Sequence, residues 1–151
     1  MSTTSTLHIT ATLDYLATIR RFIIDTTTLL GVDQTLIPKL ELAVDEIATN
    51  IIRHGYQEQP GMIEVEVSRR DDALVIRVRD GAPPFDPTGV SSPDLTQSLH
   101  NREPGGLGIY ITNQVMDTVT HRLRPQGGNE LVLVKHGIFP MTSLPDDEGT
   151  R

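Results

Sequence analysis

A carboxylate and a carboxamide stand four positions apart in "ELAVDEIATN", as Glu46 and Asn50. In a helix this spacing puts both on one face, one turn apart, with Arg53 beside them. A carboxylate so placed can orient a hydroxyl or take its proton, and a carboxamide oxygen is a neutral ligand for a hard cation. The same pair also suits a plain solvated helix face, so the choice depends on what else converges there. Asp80 closes the alternating run "LVIRVRD" just before Gly81. It can be a turn former, or it can accept a hydrogen bond from the exocyclic amine of adenine, at the edge where guanine offers an acceptor. Gly105, Gly106 and Gly108 stand where irregular chain becomes helical, so unhindered amides at a helix N-terminus can face phosphates. Glycines also mark ordinary loop-to-helix junctions.

The elements that must position these residues follow from periodicity. Leu7 to Thr10 reads as a short strand, and Leu13, Leu16, Ile19, Phe22 and Ile23 recur at helical spacing until Gly31. Asp33 is expected to cap a second helix with its apolar stripe at Leu36, Leu40, Ala43, Val44, Ile47 and Ile51, and Gly55 to end it. The period then changes to two. Ile63, Val65 and Val67 alternate with polar residues, "RRDD" turns the chain, and Leu74, Ile76 and Val78 alternate again. In this antiparallel hairpin Glu64 and Glu66 face Arg77 and Arg79. Residues 81–105 lack periodicity and hold five prolines, the mark of a lid or binding loop. A helix resumes at about Gly106, and strands near Thr118–Leu123 and Glu130–His136 flank the turn "PQGGN". This order predicts an α/β two-layer sandwich, with helices on one face of a mainly antiparallel sheet. One domain over 1–139 and a flexible tail over 140–151 are expected.

Composition removes several classes. The 151 residues contain no cysteine, which excludes a disulfide scaffold, a thiol nucleophile and cysteine-ligated zinc. A net charge of −7 disfavours direct nucleic-acid binding. Neither Lys39 nor Lys135 belongs to a Walker-type loop. The five histidines show no metal-binding spacing and are read as structural or solvent-facing. Arg20 and Arg21 form a basic pair on the first helix, able to meet an acidic partner but by default a solvated face. The N-terminus has no signal-like pattern and no apolar run spans a membrane, so a cytoplasmic protein is expected.

Taken together, "ELAVDEIATNIIRHG", "RVRDGAPPFDP" and "EPGGLGIYITNQVMD" resemble the N-box, the adenine box and the glycine box of the GHKL, or Bergerat-fold, ATPases. The resemblance is greatest to the small anti-sigma-factor serine/threonine kinases of the RsbW/SpoIIAB type, and runs from about Leu7 to His136. It implies ATP and Mg²⁺ as cofactors, with Asn50 as the magnesium ligand and Glu46 as the catalytic carboxylate. The nucleotide would be held by Asn50, Arg53, Asp80, Ala82, Phe85, Arg102, Gly105, Gly106, Leu107 and Gly108. Residues 86–105 would form the ATP lid. Where the family usually has Asp-x-Gly, this chain has Asp80, Gly81, Ala82. The implied partners are a STAS-domain antagonist, phosphorylated on serine or threonine, and a sigma factor that competes for the same protein, with a homodimer as the assembly. Two other readings are a nucleotide-binding anti-sigma module without transfer activity and a histidine-kinase catalytic domain. The latter needs a phosphoaccepting helical hairpin upstream, where only one strand and one helix precede the N-box.

Overall fold

The structure, a computed structural model, describes residues 3–89 and 107–140. Its strands are β1 (Thr3–Thr10), β2 (Met62–Arg70), β3 (Ala73–Asp80), β4 (Thr118–Leu123) and β5 (Asn129–His136). Its helices are α1 (Leu16–Leu30), α2 (Ile37–Asn50) and α3 (Leu107–Val115). The sheet runs β1-β2-β3-β5-β4 with every neighbouring pair antiparallel. β1 begins at Thr3, four residues before the expected start, because the Thr-rich segment pairs with β2 along its whole length, from Thr3 opposite Arg69 to Thr10 opposite Met62. β-branched residues suit such a half-covered edge.

All three helices lie on one face, with α2 between α1 and α3. Ile19, Ile23, Val44, Ile47, Ile51 and Ile109 are fully buried against Ile63, Val65, Leu74, Ile76 and Leu133. Each such side chain contributes about 1.5–3 kcal/mol by leaving water. α1 ends as its sequence predicts. Gly31 takes φ +89° and its N–H reaches the carbonyls of Thr27 and Thr28. Arg69 Nη1 adds a hydrogen bond to the Leu30 carbonyl at 3.1 Å.

The second helical run ends at Gly55 as expected, but its start and the conformation of that end need correction. Asp33 does not cap α2: its Oδ1 accepts from the Thr35 N–H at 3.0 Å and from the Thr35 hydroxyl at 2.9 Å, forming a separate turn. The helix starts at Ile37, with proline in its first turn, where a missing N–H costs nothing. Nor is Gly55 a left-handed cap. After Asn50 the backbone widens into a π-helical turn, Ile51–Gly55, and the positive φ values fall on Gln57 and Glu58, at 53° and 62°. Gly55 is needed for closeness: a Cβ there would stand 3.1 Å from Phe85 Cδ2 and 3.5 Å from Ala82 Cβ. A π-turn of this kind often accompanies a functional position, and here it directly follows Asn50.

The other face of the sheet carries the hairpin charges in the expected register, Glu64 opposite Arg79 and Glu66 opposite Arg77. β5 and β4 extend the row with Glu130 and Arg122. Arg79 contacts Glu64, Glu66 and Glu130, while Arg122 binds the second oxygen of Glu130. On α1, Arg20 is engaged by Asp45 of α2 at 2.8 Å, and Arg21 pairs loosely with Asp25 at 3.8 Å. Among the described residues no helix is long and apolar enough to cross a membrane, and no group of acidic, histidine or cysteine side chains could hold a metal ion.

Candidate functional site

The sheet delivers Asp80 to the end of β3, on the helix-covered face, in line with the buried Val78 and opposite Ile63 and Asn129. Its residue is only 3 % exposed. Oδ1 accepts from the Ala82 N–H at 2.9 Å and from Asn129 Nδ2 at 2.9 Å, whereas Oδ2 takes no hydrogen bond from the described residues. Burial pushes this carboxyl above the usual aspartate range, and the hydrogen bonds from Asn129 and Ala82, with the charges of His121 and Arg124, offset that only in part. A buried carboxylate with one oxygen held by neutral donors and the other open is suited to accept a hydrogen bond from a ligand.

Asn50 closes α2 and is buried, because its neighbours Ile47 and Ile51 face the core. Its Nδ2 donates to the Pro87 carbonyl at 3.0 Å, and its oxygen takes no hydrogen bond from the described residues. Glu46 lies one turn earlier on the same helix and is half-buried. Arg53 lies on the π-turn with its side chain exposed. Ala82 is buried against Gly55, so the alanine fits without displacing the chain. Phe85 is half-buried, its ring 6.4 Å from that of His54 and its N–H on the Asn129 oxygen at 3.0 Å. The segment from Asp80 to Pro87 therefore links the two boxes. Asn129 holds its beginning and Asn50 its end.

Of the remaining expected residues, Leu107 and Gly108 form the first turn of α3, which packs beside α2. Arg102, Gly105 and Gly106, with most of the expected lid, lie outside the described residues. So do the tail from position 141 and His100. Three residues that sequence reasoning did not select belong to the site's framework. The Tyr56 hydroxyl donates to the Met62 carbonyl at 2.6 Å and accepts the Gly81 N–H at 2.6 Å, pinning the end of β3 to the start of β2. Asn129 and His121 are the others; the His121 Nε2 is 2.9 Å from Asn129 Oδ1, a contact within the fold. The available signal was the "GGN" turn: it starts β5 at Asn129, but only the pairing of β3 with β5 sets that residue opposite Asp80.

Comparison with known proteins agrees with this geometry. A family model described as the histidine kinase-like ATPase domain matches residues 9–135. The serine-protein kinase RsbW of Bacillus cereus (strain Q1) is 29% identical over 117 residues, covering 75% of this chain and 73% of that protein. The serine/threonine-protein kinase BtrW of Bordetella bronchiseptica is 30% identical over 98 residues, covering 64% of this chain and 68% of that one. The crystal structure of the RsbU and RsbW domains of Rv1364c from Mycobacterium tuberculosis superposes with a TM-score of 0.58 at 20% identity; it covers 87% of this chain, which spans 32% of that longer one. The order of the boxes, the antiparallel sheet with its helices on one face and the matched span agree: the chain belongs to the histidine kinase-like ATPase domain family, beside the RsbW-type serine-protein kinases.

Proposed function

We propose that this chain is an ATP-dependent serine/threonine kinase and anti-sigma factor. It transfers the γ-phosphoryl group to a hydroxyl of a STAS-type antagonist and, when that antagonist is phosphorylated, holds a sigma factor away from transcription. The reading places the protein in the cytoplasm, as a homodimer. The observation that carries it is buried Asp80, whose Oδ2 takes no hydrogen bond from the described residues, joined through residues 82–87 to Asn50. In this reading Asp80 accepts the adenine amine, and Ala82 and Phe85 line the base. Asn50 fits magnesium: its oxygen is the neutral ligand that complements the anionic ligands of a triphosphate. The ion, when bound, offsets charge on the phosphates. The reading assigns further positive charge to Arg53 and Arg102, and backbone amides for the phosphates to the glycine box, Gly105, Gly106, Leu107 and Gly108. Glu46 orients the acceptor hydroxyl and takes its proton as the new O–P bond forms and the bond to the bridging oxygen of ADP breaks.

The test is incubation with labelled ATP and a STAS-domain antagonist encoded nearby. Glu46→Gln is expected to keep nucleotide affinity while transfer falls by about 10²- to 10⁴-fold, the scale of general acid–base help. Asn50→Ala should lower binding and transfer together. Transfer by Glu46→Gln at the wild-type rate would sink the catalytic assignment and favour a nucleotide-binding anti-sigma module.

A further inference from the structure

We propose that His121 and Asn129 form a relay that sets base specificity, by holding Oδ1 of Asp80 and so leaving Oδ2 as a fixed acceptor for an amino-purine edge. The inference rests on the nucleotide reading of the Asp80 site and deepens it.

Asn129 is 1 % exposed, and its carboxamide is engaged by the adenine-box segment and by His121. Nδ2 lies 2.9 Å from Asp80 Oδ1, 3.3 Å from the Ala82 carbonyl and 3.1 Å from the Pro83 carbonyl. Oδ1 accepts the Phe85 N–H at 3.0 Å and lies 2.9 Å from His121 Nε2. The partners determine the orientation. A reversed amide would turn its oxygen toward a carboxylate and two carbonyls, and its N–H₂ toward the Phe85 N–H. The His121 ring nitrogen facing the amide oxygen must therefore carry the proton, which makes His121 a donor from the outermost strand.

The chemical consequence concerns Asp80. To prefer an amine over a carbonyl at the base edge, it must act as an acceptor, and burial works against that by favouring its protonated form. A protonated carboxyl is a donor and would accommodate the carbonyl of a 6-oxopurine. The Asn129 hydrogen bond favours the ionised form, and the nearby His121 and Arg124 act in the same direction. His121 in turn keeps Asn129 from rotating away. Phe85, held by the same carboxamide, stays where it can pack on the base. Asn129 and His121 are thus positioning residues, acting on the ligand through Asp80 and Phe85.

ATP and inosine triphosphate differ at this edge by an amine exchanged for a carbonyl, so the ratio of their affinities is the readout. Calorimetry on the full chain is expected to show a clear preference for ATP in wild type. Asn129→Leu should reduce that ratio by about tenfold, on the scale of one lost hydrogen bond to a charged group. His121→Phe should reduce it by about threefold, and His121→Gln should restore it because a glutamine amide can donate. A purely structural role would weaken both nucleotides in parallel and leave the ratio unchanged, and that result in folded His121→Phe and Asn129→Leu proteins overturns the relay. His121 lies on an edge strand and is half-buried, so the His121 pair decides the matter even where Asn129→Leu does not fold. Wild type that binds neither nucleotide overturns the nucleotide reading itself, a failure distinct from an unchanged ratio.

Discussion

Asp80 and Glu130 sit on adjacent strands, each only 3 % exposed, and they meet opposite fates. Asp80 lies on the helix-covered face, where its described hydrogen-bond donors are an amide side chain and a backbone N–H. Its carboxyl is pushed up by burial. Glu130 lies one residue past Asn129, on the opposite face, between Arg79 at 2.7 Å and Arg122 at 2.5 Å. Burial pushes it up too, but the hydrogen bonds and charges of the two arginines outweigh that and hold it below the usual glutamate range. Depth in the protein is therefore no guide to the role of a carboxylate. Glu130 has its charge balanced within the sheet by arginines, whereas the Oδ2 of Asp80 takes no hydrogen bond from the described residues.

The largest effect should come from removing the junction the two sites share. Gly128 has φ +96°, and a Cβ there would stand 2.0 Å from the Asp80 carbonyl oxygen. Gly128→Ala is expected to cost about 3 kcal/mol or more of stability, read by urea denaturation. A loss below about 1 kcal/mol would show that the β3–β5 junction tolerates displacement.

Next in size is Asp80→Asn, which retains an acceptor for Asn129 and Ala82 but offers the ligand a different group. ATP affinity should fall about 100-fold, or about 2.7 kcal/mol, while the melting temperature at pH 7 holds or rises by a few degrees. The sign follows from linkage. A carboxyl whose folded pKa is raised costs stability once it ionises, and that cost accumulates as pH rises from about 4 through its folded pKa. The gain from Asp80→Asn should accordingly vanish at about pH 3. Equal loss of stability and affinity would mean that Asp80 is structural, like Glu130.

Glu130→Gln should show the reverse pattern, a loss of about 2 kcal/mol at pH 7 and nucleotide affinity within about twofold of wild type. The estimate stays below that for a fully buried pair because Arg122 reaches solvent. Here the folded pKa is lowered, so the stabilisation is present above about pH 4.3 and disappears as pH falls through the folded value. Thermal melts across pH 3–7 should therefore converge for wild type and Glu130→Gln at the acid end. The smallest effect belongs to Arg122→Ala. Its side chain is 64% exposed, so a loss under about 1 kcal/mol is expected in the same melts. A loss matching Glu130→Gln would shift the anchor of the open face from Arg79 to Arg122.

Much of this architecture was legible before any coordinates. The register of Glu64 and Glu66 against Arg79 and Arg77 follows from two alternating runs and the turn between them, and Gly31 ends α1 where the apolar periodicity stops. These are local consequences of side-chain period and backbone freedom. Errors occurred where two local signals competed. Asp33 is a good cap residue, yet Thr35 offers it both an N–H and a hydroxyl within two residues. Gly55 has the composition of a helix stop, yet its lack of a Cβ is used to admit Phe85 and Ala82.

The sequence by itself determined the alternating strands, the amphipathic helices, the i, i+4 placement of Glu46 and Asn50 and the strand-end position of Asp80, because each depends on neighbours within a few residues. Only the tertiary structure decided which of two equally buried carboxylates is neutralised by arginines and which is left to neutral amides. That choice depends on β5 entering the sheet beside β3, a pairing between residues about fifty positions apart. Its alternation puts Asn129 on the helix-covered face and Glu130 on the open one, and no local period of the chain encodes which strand will lie next to Asp80.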